Sequence, residues 1–468
     1  MARTIIQGGM VVTDTDVFPA DVLIEDGIVR QVADEIDDVR PDDTLIDAQG
    51  KFVLPGAVDV HTHMDLDVGF TRAIDDFYTG TVAAACGGTT TIVDHMAFGP
   101  KDCSLWHQVE EYHRLADGRA VIDYGFHGVF QHLHRETLDE MRQIADQEGI
   151  TSFKVYLTYD YRMNDEDLYQ ILLAAKDAGI VIAAHCENHG VIQYLRRHYV
   201  ESGCREPRYH PLSRPADCEA EAVSRFLRLG HMAGDAPVYV VHLSSAKGLE
   251  EVRRVRARHQ KGVGIETCTQ YLTLTDRLYE DPQEGLKAIM SPPLRKKEDN
   301  EALWEGVADG SIDTVATDHC PFHYLAGGAE KQLGKDDFTK CPNGAPGVQE
   351  RLLMMFTEGV RKGRISLPRL VQLCCSNPAR LYGLYPQKGN LMPGADADLV
   401  ILDPNKSFTF TKDEIRGASD YSLYEGKKMK GDIDLVMQRG NVIVKNQQFL
   451  GKKGDGQYLK RRRSDLCF

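Results

Sequence analysis

Eight apolar runs of strand length recur between residues 53 and 317, and helix-like stretches separate most of them. The runs cover 53–61, 89–95, 121–129, 152–158, 181–185, 238–243, 264–268 and 313–317. Between them, segments such as 137–147, 165–178, 218–229 and 246–258 carry apolar residues at helical spacing. Eight strand-then-helix units predict an α/β fold of the (β/α)8 barrel class. A doubly wound sheet is the alternative. It is disfavoured because no glycine-rich phosphate loop follows a strand.

The two ends of the chain have a different texture. Short strands broken by turns occupy 4–7, 10–12, 21–24 and 28–32, and the same pattern returns at 397–402, 433–437 and 441–444. The two ends are predicted to build one small β-sandwich. The expected organisation is therefore sandwich over 1–55, barrel over 56–388, sandwich again over 389–450, and a C-terminal tail over 451–468.

In a (β/α)8 barrel, catalytic groups sit at the C-terminal ends of the strands. His61 and His63 end the first run and, two apart on a strand, point to one face. Lys154 lies in the fourth run, His185 ends the fifth, His242 falls near the end of the sixth, and Asp318 follows the eighth. Taken singly, each histidine also reads as a hydrogen-bonded structural group, and Asp318 as a cap on the next turn. Lys154 resists such a reading, because a lysine in a buried strand is costly unless paired or neutral. Desolvation beside metal cations lowers an amine pKa. A neutral amine adds to carbon dioxide to give a carbamate, an anionic ligand with two oxygens for two metals. Together the six residues predict a binuclear metal site. His95, His127 and His319, also near strand ends, read as supporting or structural groups.

Composition narrows the function classes. Apolar residues at 42 % and charged residues at 27 % are ordinary globular values, so disorder and a membrane protein are disfavoured. A net charge of −15 argues against nucleic acid as a partner, and the basic stretch Lys460 to Arg463 reads as a solvated tail. The eleven cysteines include no Cys-x-x-Cys pair, and the first residues lead into a strand without a signal-peptide core. The expected location is the reducing cytoplasm.

At this level the chain resembles the cyclic amidohydrolases of the amidohydrolase superfamily. The markers are Pro55-Gly56-Ala57-Val58-Asp59-Val60-His61-Thr62-His63, Gly87-Gly88-Thr89-Thr90-Thr91, Ser152-Phe153-Lys154 and His185-Cys186-Glu187-Asn188. They continue with Val241-His242-Leu243-Ser244, Ser291-Pro292-Pro293-Leu294-Arg295, Ala316-Thr317-Asp318-His319 and Asn377-Pro378-Ala379-Arg380. Within the superfamily the chain is most similar to the D-hydantoinases and dihydropyrimidinases, through Asp67-Val68-Gly69, Ala83-Ala84-Ala85-Cys86-Gly87-Gly88 and Cys341-Pro342-Asn343-Gly344. Dihydroorotases place an arginine two residues beyond the histidine pair. Here Asp65 stands there and is expected to repel a substrate carboxylate.

The resemblance implies a ligand set. His61 and His63 hold one divalent metal, His185 and His242 a second, carbamylated Lys154 bridges them, and Asp318 completes the first. Zinc suits these ligands best, with manganese or cobalt as alternatives. The resemblance also implies that Tyr159 stabilises the oxyanion, that Ser291 and Asn343 hold the ring amide, and that Asp318 moves the proton. The predicted reaction opens a 5-aryl hydantoin to an N-carbamoyl amino acid. Alternatives are a dihydropyrimidinase acting on six-membered rings, and a non-enzymatic assembly protein of the same fold. The expected partners are a small cyclic ureide or amide and three further copies in a homotetramer, with no nucleic acid and no membrane. The tail from 451 is expected to be disordered or packed on a neighbouring subunit.

Overall fold

The computed structural model describes residues 3–134, 136–325 and 329–467. Eight parallel strands form the barrel: Ala57–Thr62, Thr89–His95, Asp123–Val129, Ser152–Tyr156, Val181–His185, Val238–Val240, Val263–Cys268 and Thr314–Ala316. Each pairs with the next in chain order. The ring closes between its first and last strands. The Asp318 N–H donates to the His61 carbonyl at 2.9 Å, and the His63 N–H to the His319 carbonyl at 2.9 Å. Every residue of the first, second, third and fifth strands is buried, polar side chains such as Thr91, Asp94 and Asp123 included.

Helices fall where the periodicity puts them. Two are Thr137–Gln147 and Asp165–Ala178. The second starts on Asn164, whose side chain accepts from the Asp167 N–H, and stops at Gly179 in a left-handed conformation. The apolar run 53–61 is not one strand. Phe52–Pro55 joins the terminal sheet, and the barrel begins at Ala57. Gly56 marks the join, since a Cβ there would collide with Thr90 Oγ1.

Both chain ends build one continuous nine-stranded sheet, mostly antiparallel. Its Arg3–Val12 strand pairs with Val17–Glu25 and with Phe52–Pro55, and the latter pairs with Leu399–Thr409. Ile6, Val22, Val53, Leu399 and Leu435 meet in one core, separate from that of the barrel. A buried Lys388 ties sheet to barrel through Asp123, Asp396 and Asp398, all within 2.9 Å.

The C-terminal tail differs from expectation. It packs on its own barrel, at the N-terminal ends of the strands. The Leu459 N–H donates to the Tyr124 carbonyl at 2.8 Å, and the Arg461 N–H to the Gly149 carbonyl at 3.1 Å. Within the basic stretch, Arg461 is buried rather than solvated. Its guanidinium donates to the carbonyl of Phe126 and to Ser152 Oγ, which supply what water would otherwise provide.

Candidate active site

The C-terminal ends of the strands gather all six predicted ligands. Lys154 Nζ lies 2.9 Å from His61 Nε2. Asp318 Oδ1 lies 3.1 Å from His61 Nε2 and 3.2 Å from His63 Nε2. His185 Nδ1 faces His242 Nε2 at 2.9 Å. Asp318 therefore does not act as a turn cap; its carboxylate points into the cluster.

Two carboxylates behind the histidines set their tautomers. His61 Nδ1–H donates to Glu266 Oε1 at 2.6 Å, and His185 Nε2–H donates to Glu187 Oε2 at 2.7 Å. The opposite ring nitrogens are left as lone pairs facing the cluster, an arrangement typical of metal-ligating histidine. Burial brings the His63 pKa down to about 4 and lowers those of His185 and His242, so these rings are neutral at pH 7. Burial and Lys154 act downward on His61 too, but Glu266 and Asp318 outweigh them and raise it. Burial alone would raise the Asp318 carboxyl, yet His61 and His63 beside it hold it well below the usual carboxylate range. Burial lowers the Lys154 amine. The neutral imidazoles of His63, His185 and His242, with the Nε2 of His61, an ionised carboxylate and a desolvated amine, fit a pair of divalent cations.

Backbone conformation supports a site under constraint. Tyr159, His242 and Asp318 have φ of 74°, 42° and 54°, a left-handed region that non-glycine residues occupy at a cost.

Residues 52–443 match the Amidohydrolase family. The chain belongs to this family. A D-phenylhydantoinase from Escherichia coli O1:K1 is 48 % identical over 460 residues, 98 % of each chain. The solved structure of a dihydropyrimidinase from Brevibacillus agri superposes with a TM-score of 0.95 at 40 % identity, covering 99 % of both chains. That of a D-hydantoinase from Bacillus sp. AR9 has a TM-score of 0.95 at 40 % identity, covering 99 % of this chain and all of the other.

In this amidohydrolase a cavity of about 370 Å³ opens over the cluster. Lys154, His185, His242, Asp318, Tyr159, Ser291 and Asn343 all line it. Ser291 Oγ donates to Asn343 Oδ1 at 3.0 Å. Burial raises the Tyr159 pKa, so its hydroxyl stays protonated and able to donate. Phe98 packs against Tyr156 and Tyr161, with ring centroids 5.1 and 4.7 Å away, and these three form an aromatic wall of the cavity. Asp65 does not line the cavity. Its carboxylate accepts from the Phe77 N–H at 3.1 Å, so it shapes the loop after the first strand instead of repelling a substrate. Setting dihydroorotase aside then rests on the lack of an arginine at position 65.

The other strand-end histidines separate. His319 is structural: Nε2 donates to Asp75 Oδ2 at 2.9 Å, and Nδ1 accepts from the Gly347 N–H. His127 bonds Ser152 and the Val60 carbonyl. His95 packs edge-on to His61 at 4.4 Å, and neither of its ring nitrogens has a partner among the described residues. Sequence reasoning missed Glu266, Glu187 and the buried Arg214 that pairs with Glu187. A signal existed for the first two: a glutamate inside the apolar run 264–268, and another two residues after His185.

Proposed function

We propose that this amidohydrolase hydrolyses the ring amide of 5-aryl hydantoins to N-carbamoyl amino acids at a binuclear metal centre. The observation that carries the reading is the meeting of six donor side chains from five strands under a cavity walled by aromatic rings. The 48 % identity to a D-phenylhydantoinase supports the substrate class.

His61, His63 and Asp318 would hold one ion, His185 and His242 the other, and Lys154 both. Lys154 takes part as a carbamate: its neutral amine adds to carbon dioxide, forming an N–C bond and releasing a proton. Zinc fits the set best, and manganese or cobalt are workable substitutes. Bound divalent ions supply a nucleophile from water at neutral pH and polarise the scissile carbonyl.

The remaining steps belong to the side chains. Tyr159 donates its hydroxyl proton in a hydrogen bond to the oxygen that gains charge as the carbonyl becomes tetrahedral. Asp318, ionised and at the centre of the donors, accepts a proton from the nucleophile. It then passes that proton to the leaving ring nitrogen, so the C–N bond breaks without releasing an amide anion. Ser291 and Asn343, hydrogen-bonded to each other, hold the opposite edge of the ring. Glu266 and Glu187 keep the histidines in their ligating tautomers.

Similarity to a dihydropyrimidinase favours a second reading, hydrolysis of six-membered dihydropyrimidines. Steady-state kinetics of the metal-loaded enzyme on both phenylhydantoin enantiomers and on dihydrouracil separates the two. A higher kcat/KM on D-phenylhydantoin is expected; a preference for dihydrouracil would reverse the assignment, and no turnover of any of them would leave the assembly-protein reading. We further assign the chain to the cytoplasm, in keeping with eleven free cysteines, and to a homotetramer. A monomer by light scattering would refute the latter.

A further inference from the structure

Outside the catalytic cluster, a second group of metal-ligating side chains sits on two loops at the same end of the barrel. Asp102 lies on the loop after the Thr89–His95 strand, and His132 and His134 on the loop after Asp123–Val129. One donor atom from each of the three lies within 4.8 Å of the other two. The two imidazole centroids are 4.4 Å apart, and His134 Nε2 stands 3.5 Å from Asp102 Oδ1. That distance is too long for a good hydrogen bond but suits two ligands of one ion.

The loops are held in place independently of this contact. Gln131 bridges them, accepting from the Gly99 N–H at 2.8 Å and donating to the Pro100 carbonyl at 2.7 Å. The His134 N–H donates to Thr137 Oγ1 at 3.0 Å, and Asp102 is set in a left-handed turn at φ 60°. Among the described residues no lysine or arginine pairs with Asp102; its ion-pair contact is His134. His134 and Asp102 are about half exposed, at 52 % and 58 %, which leaves room for water ligands.

We propose that Asp102, His132 and His134 form a third divalent-metal site, selective for zinc, nickel or copper over magnesium or calcium. Two imidazoles and one carboxylate are the ligands those borderline cations prefer, whereas the hard cations require oxygen shells. None of the three residues lines the catalytic cavity. Phe98, a few residues before Asp102, does. An ion here joins the loop that carries the aromatic wall to the loop after the next strand, and so restrains one side of the substrate cavity.

The test uses the full chain with its catalytic centre loaded, dialysed to equilibrium against zinc. Metal analysis of the parent is expected to give one more zinc per chain than a His132→Ala/His134→Ala double variant, with Asp102→Asn intermediate. Zinc should also slow amide exchange over 97–104 in the parent and not in the double variant. These side chains are mostly exposed and outside the core, and turnover of the variants reports that the catalytic centre is intact. Equal zinc content in the parent and the double variant overturns the proposal. So does slowed exchange that is the same in both.

Discussion

Arg461 Nη2 donates to Ser152 Oγ at 2.9 Å, beneath the catalytic cluster. The Ser152 hydroxyl in turn donates to His127 Nδ1 at 2.6 Å, and His127 Nε2–H donates to the carbonyl of Val60, the residue before His61. A directed chain of hydrogen bonds thus runs from the C-terminal tail to the strand that carries the histidine pair. Ser152 also lies two residues from Lys154 on one strand and shares its face. Arg461→Ala would strand these buried acceptors. A loss on the order of 2–3 kcal/mol is expected, the scale of a broken charged hydrogen bond in a buried site. Chemical denaturation at saturating metal measures it, and an unchanged midpoint would mean the tail adds nothing to stability.

Lys154→Ala is expected to lose most bound metal and most activity, because it removes the carbamate that would be shared by both ions. A short-chain carboxylic acid should restore part of both by occupying the place of the carbamate. Full metal content with normal turnover in the variant would sink the assignment.

Asp318→Asn keeps the shape and an oxygen beside His61 and His63 but removes the base. Some metal should remain, while turnover falls by about 100-fold or more, the contribution expected of a general base. Turnover at the parent rate would remove Asp318 from the proton path.

Tyr159→Phe keeps the ring that packs beside His185, at a centroid distance of 5.2 Å, and deletes only the hydroxyl. The loss should fall on kcat with KM little changed, because the hydrogen bond strengthens as charge develops. Lost oxyanion donors set the scale at roughly 3 kcal/mol. A raised KM with unchanged kcat would make Tyr159 a ground-state binding residue.

His210 gives a pH dependence unconnected to metal ligation. Its ring is buried and donates from Nε2 to the Met290 carbonyl at 2.8 Å. Burial, reinforced by Arg214, lowers its pKa to about 3. In the unfolded chain histidine titrates near ~6.5. Between these values the unfolded state binds the extra proton, so stability is full above the upper value and falls as pH drops toward the lower one. The slope from this residue is at most about 1.4 kcal/mol per pH unit. His210→Gln retains a donor and should show a shallower loss between pH 6.5 and 4 in thermal melts with chelator present. Parallel pH profiles for the two proteins would dismiss the effect.

The chain's own pattern determined the barrel and the inventory of its site. Strands buried on both faces are rich in apolar residues, so eight runs stood out, and ionisable residues at their ends were conspicuous because nothing local justifies burying them. Periodicity likewise marked the helices 137–147 and 165–178, the second of which carries its own capping residues, Asn164 and Gly179. Tertiary structure decided what depends on partners far away in sequence. Glu266 stands 205 residues from the His61 it orients, and Arg461 stands 309 from Ser152. A glutamate in a strand or an arginine in a basic tail has many solvated uses. Only the packed barrel shows which buried nitrogen or oxygen each one satisfies. The same holds for Asp65: its charge was plain in the sequence, but its direction was set by the Phe77 amide that it accepts from.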